Sequence, residues 1–222
     1  MNPTTPPSPY EQLRGSILAS ETLEKAASYD KGEDDPASPW FHFAAAQRVA
    51  STDKAEAEQH LRHILTMPQV ESRTYLQAWH YLRALGVTPD EETRRRAIGM
   101  VVEVGLEMGV DSVAAYQDHS ARYFNQAGSV IIWDTETPEM NELIDIFLDV
   151  AQQVGDNTQP WDEAHPDPPS QGMMLINILT PAGIHIGMGP MNAMQNDPMG
   201  KAVTQTALAL MQSLIQATEK SA

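Results

Sequence analysis

The spacing of apolar residues changes once along this chain, near Ile98, and that change constrains the fold more than any other feature. Upstream, apolar side chains recur every three or four residues, as on amphipathic helices. Downstream they alternate, as in strands with one buried face. The chain is therefore expected to be α+β. A helical module over residues 11–97 should precede an antiparallel sheet with two helices packed on one face, over residues 98–222.

In the first part, Met1 to Tyr10 (MNPTTPPSPY) is proline-rich and reads as a flexible arm. Leu13, Ile17, Leu18, Leu23 and Ala26 predict a helix between Glu11 and Tyr29, and KGEDDPASP (31–39) predicts a loop. Trp40–Ala50 is alanine-rich and helical, with Ser38 as a candidate cap. Ser51 or Thr52 opens a further helix whose stripe is Ala57, Leu61, Ile64 and Leu65. ESRTYLQAWHYLRALG (71–86) buries Tyr75, Leu76, Trp79, Leu82 and Leu85 and stops at Gly86. A short charged helix is expected from Pro89 to Ala97. Such helix pairs resemble tetratricopeptide-type hairpins, although no 34-residue repeat is present.

In the second part, IGMVVEVGLEM, DSVAAYQDH, ARYFNQAG and SVIIW predict a four-strand antiparallel meander, because the connections are too short for crossovers. Pro138 opens a helix with the stripe Met140, Leu143, Ile144, Phe147, Leu148 and Ala151. A proline-rich loop (156–172) leads to a hairpin, MMLINIL and GIHIGM, around Thr180–Gly183. Val203, Ala207, Leu210, Met211 and Leu214 mark a terminal helix.

Composition narrows the function. The net charge is −16, and residues 99–222 hold sixteen Asp or Glu against only Arg122, Lys201 and Lys220. Three cations neutralise few phosphates, so nucleic acid and anionic membrane surfaces are disfavoured as partners. No apolar run is long enough to span a bilayer, the N-terminus has no secretory signal, and there are no cysteines. A cytoplasmic location in a bacterium is the corresponding expectation.

SVAAYQDHSARYFNQAGSVIIW, ILTPAGIHIGMGP and the ALALMQSLI helix, with ESRTYLQAWHYLRALG upstream, resemble a family of uncharacterised bacterial proteins over roughly residues 70–215. That resemblance implies no activity. In element order the C-terminal half is distantly similar to roadblock, longin and profilin-like folds, which act as dimerising platforms.

Candidate chemistry is sparse. His60 and His63 share a helix face, with His42 and His80 on neighbouring helices, but no metal motif supports them. Gly187-Met188-Gly189-Pro190 lacks the third glycine and the lysine of a phosphate loop. Hairpin alternation puts His185 on the face of Met174, Ile176 and Ile178, and Asn177 on that of Ile184 and Ile186. His185 either bonds to backbone or acts as a general base. Arg122 either pairs with Asp118, Glu103 or Asp111 or clamps an anion. Trp161 either anchors the 156–172 loop or presents an aromatic surface beside His165. No catalytic residue, metal or cofactor is assigned.

The leading expectation is a non-enzymatic protein-interaction or assembly module, homodimeric. A second is a small-molecule binder or enzyme with a pocket between the sheet and the 156–172 loop, using His185, Arg122, Tyr116, Trp161 and His165. A third is an acidic immunity- or antitoxin-like protein for a basic partner, from charge alone.

Overall fold

The computed structural model describes residues 9–32 and 34–221. Met1–Ser8 of the expected arm lie outside these residues, whereas Pro9 and Tyr10 begin the first helix, α1 (Pro9–Ile17). The helix expected to run on to Tyr29 breaks after Ile17 and resumes as α2 (Leu23–Ala27), capped by Thr22. Ala19 turns left-handed at φ 49°. Glu21 is then pinned by a distant amide: Gln77 accepts from its N–H and donates to its C=O, both at 3.1 Å, and the Tyr81 hydroxyl donates to the same C=O at 2.9 Å. These bonds replace the helical ladder locally, which no local periodicity could reveal.

Three longer helices follow: α3 (Pro39–Val49), α4 (Lys54–Leu65) and α5 (Ser72–Ala84). The cap of α4 is Asp53, just beyond the expected Ser51 or Thr52, and its carboxylate accepts from Glu56 N–H. Ala26, Phe43, Leu61, Ile64, Trp79 and Leu82 form the core among α2–α5. Gly86, at φ 92°, ends α5 as expected. The charged helix expected over Pro89–Ala97 shrinks to one 3-10 turn, Thr93–Arg95. It has no buried residue, so nothing offsets the entropy of ordering a longer helix.

The sheet comprises β1 (Gly99–Gly105), β2 (Val110–Tyr116), β3 (Ala121–Phe124), β4 (Val130–Trp133), β5 (Met173–Thr180) and β6 (Gly183–Pro190). All pairs are antiparallel, in the order β4-β3-β2-β1-β5-β6. Between β4 and β5 runs α6 (Pro138–Asp156), and β6 is followed by α7 (Met191–Asn196) and α8 (Pro198–Ser221). Period-two alternation sends Met100, Val102, Val113, Ala115, Ile176 and Ile178 to one face, where the stripes of α6 and α8 cover them. Val101, Ala114, Tyr116, Phe124 and Leu179 point the other way, against Tyr10, Ile17 and Leu18 of the α1 region and Leu76 of α5. Both faces are thus clad, one by α6 and α8 and the other by the N-terminal helices.

A reciprocal cap fastens the helices to the sheet. Asp118, in the β2–β3 turn, accepts from Ser72 N–H at 2.7 Å, and the Ser72 hydroxyl accepts from Asp118 N–H at 3.0 Å. The first turn of α5 is therefore satisfied by a residue 46 positions away.

Candidate functional site

The five residues singled out in the sequence do not converge. Tyr116 is fully buried under α1, donates to Ile17 C=O at 2.6 Å and lies beneath the Arg73 guanidinium. It holds two layers together. Arg122 does not pair with Asp118, Glu103 or Asp111; it pairs with Asp134 at 2.7 Å and donates to Ala121 C=O and Trp133 C=O. Its guanidinium clamps the end of β4, because the β3–β4 register sets Arg122 opposite Ile132. Trp161 is exposed; its indole donates to Ala164 C=O, and its backbone N–H caps β6 at Ile184 C=O.

His165 belongs to a buried polar cluster that also contains Glu103, which sequence reasoning missed as a centre. Glu103 has no exposure at all on β1. Arg14 of α1 grips both of its oxygens, at 2.7 and 3.0 Å, and Asn177 donates to it at 2.8 Å. Arg14 also donates to Pro166 C=O, and His165 Nε2 meets Asn177 Oδ1 at 2.8 Å. The Tyr10 and Ser112 hydroxyls are sealed against this cluster, beside Glu103. Burial, then the Glu103 carboxylate, push the Tyr10 phenol well above its ordinary range. The 156–172 loop is packed down on this cluster, with Ser170 and Pro169 backbone against Gly105, and Gly172 N–H bonded to Gly105 C=O. At this end the loop backbone packs directly on β1, whereas its first residues (156–160) border a cavity with His185 of β6.

His185 sits on the opposite face, where the hairpin register places it beside Ile178. Its Nδ1 is 2.9 Å from the Thr158 hydroxyl, which donates to Val154 C=O at 3.0 Å. A hydroxyl has one proton, so both contacts are satisfied together only when Nδ1 is the donor and Nε2 carries the lone pair. Burial lowers the imidazole pKa, favouring this neutral form. His185 and Thr158 border two cavities. One, of about 130 Å³, is lined by Arg94, Arg95, Asp156 and Gln159. The other, of about 180 Å³, is lined mainly by Val154, Ile176, Ile178, Met194 and Val203.

The two sheet edges are built differently. At β6, Pro190 ends the strand and the Trp161 segment bonds to Ile184. At β4, the sequence Val-Ile-Ile-Trp carries no charge, proline or glycine, and among the described residues no strand pairs with its outer side. Ile132 is 62% exposed and Val130 39%. Edge strands ordinarily carry charge, proline or a cover that discourages pairing, and β4 has none within it.

The histidines of the helical module do meet. His42 Nε2 donates to Pro36 C=O at 3.0 Å, so its Nδ1 accepts from His60 Nδ1 at 3.1 Å, while the His63 ring packs 4.3 Å from that of His42. Among the described residues, no group of three His, Asp or Glu side chains is arranged to hold a metal ion. Burial lowers the His42 pKa, with His63 and His60 adding to the effect; burial and then Arg83 lower His80 from 6.5 to about 4. Below pH 6.5 the unfolded chain takes up protons that the folded chain refuses. The contribution of these histidines to stability is therefore full above pH 6.5 and is lost toward pH 4, with His80 alone giving a slope approaching about 1.4 kcal/mol per pH unit. Urea midpoints are expected to drop between pH 7.5 and 5; an unchanged midpoint would contradict this.

No family model, no curated protein and no solved structure matches the chain. Among the described residues, no helix is long and apolar enough to cross a membrane.

Proposed function

We propose that this protein is a non-catalytic assembly module that forms a homodimer by pairing β4 with β4 of a second copy. The observation that carries the reading is the bare apolar edge of β4 beside a guarded β6. A two-fold axis perpendicular to the sheet pairs the strands antiparallel, as every other pair in the sheet is, and keeps like faces together. Directly opposed residues then have the same parity, so that Ile132 meets Ile132 or Val130. Each copy contributes main-chain hydrogen bonds and an apolar face, the mode by which extended segments add to an open sheet edge.

A catalytic reading draws less support, since His185, Arg122, Tyr116, Trp161 and His165 lie on different faces and three of them are engaged in holding the fold together. The acidic-partner reading rests on net charge alone. Light scattering during size-exclusion chromatography tests the proposal. The expected mass at tens of micromolar is twice the 24.5 kDa of one chain. A mass of one chain at high micromolar concentration would exclude the dimer.

A further inference from the structure

We propose that the apolar cavity beside His185 is a binding site for a small neutral molecule of the phenol class: one apolar ring bearing a single hydrogen-bond donor. The cavity lies between the C-terminal turn of α6, strands β5 and β6, and the α7–α8 junction, remote from β4. Its lining is apolar, of aliphatic and methionine side chains, apart from the polar Thr158, His185 and Asp197. His185 is only 7% exposed, yet among the described residues its Nε2 has no hydrogen-bond partner and is not sealed off. Nε2 is therefore open to take a partner from water or from a ligand seated against His185 in the cavity that it lines.

The Thr158 contact fixes what that ligand must offer. Nδ1 holds the proton, so Nε2 presents a lone pair and asks for a donor. A carboxylate offers only acceptors and would face both that lone pair and Asp197, whose Oδ1 caps the α8 N-terminus by accepting from Gly200 N–H. An anion is thereby disfavoured, because it would pair with His185 only once the imidazole is protonated, which burial opposes. Size narrows the class further: a dry cavity of about 150 Å³ accommodates benzene, so one of 180 Å³ takes a ring plus about one to three further heavy atoms.

Methyl resonances of Val154, Ile176, Ile178 and Val203 read the site directly. Titration of the full chain with phenol is expected to shift them saturably, whereas benzoate leaves them unmoved. His185→Leu, which keeps the apolar wall and removes the acceptor, should weaken phenol about tenfold and leave toluene unchanged. Gly187→Val is the second arm. A Cβ there makes ordinary contact with Ile176 and Met194 of the cavity lining, so the added bulk takes up cavity space and weakens phenol and toluene together. The proposal fails if phenol gives no saturable shift, if benzoate binds as well as phenol, if His185→Leu weakens phenol and toluene equally, or if Gly187→Val leaves both unchanged. None of these outcomes depends on the oligomeric state.

Discussion

Glu103→Ala is expected to lower unfolding stability by about 3–5 kcal/mol, among the largest single-residue losses in the molecule. The carboxylate is fully buried, and its removal strands the Arg14 guanidinium against the sheet and deprives Asn177 of an acceptor. Desolvation of the orphaned groups, rather than the lost attraction, dominates that figure. Replacing both partners, Arg14→Met with Glu103→Leu, should therefore cost less than Glu103→Ala alone, because no charge is then left buried. Urea unfolding of the three variants forms the test. If Glu103→Ala lies within about 0.5 kcal/mol of the wild type, the pair does not hold α1 and the loop to the sheet.

Ile132→Lys is expected to leave the monomer fold intact and raise the dimer dissociation constant on the order of 100-fold. At 62% exposure, Ile132 contributes little to its own chain, so folding stability should shift by no more than about 0.5 kcal/mol. In the proposed dimer the two-fold axis counts the substitution twice. Each copy forfeits about 1–2 kcal/mol of apolar burial, and the two ammonium groups repel across the junction. Sedimentation velocity over a dilution series measures the shift. An unchanged dissociation constant with a folded variant would move the interface away from β4.

The extent to which this architecture was legible depends on how local its causes are. The strands, the α6 and α8 stripes and the facing of His185 against Asn177 follow from spacing within one hairpin or helix, and the structure agrees with each. Other features depend on distant residues. Arg14 and Glu103 lie 89 positions apart, and Glu103 within an alternating strand reads as an ordinary solvated face. The break after Ile17 needs Gln77 and Tyr81. β4 was visible as a strand, but its place at an edge depends on β5 pairing with β1, which turns a meander into a sheet with one bare side. For Arg122 the spacing suggests Asp118, Glu103 or Asp111 across the sheet, or an anion, whereas its own hairpin supplies Asp134.

Hydrogen exchange at the backbone amides of Val130–Trp133 tests the assembly claim most directly. Strand pairing across the two-fold axis predicts that the outward-facing amides of β4 are protected at concentrations where the dimer forms, and that dilution or Ile132→Lys removes the protection. Outward amides that exchange as fast in a dimeric sample as in a monomeric one would contradict it.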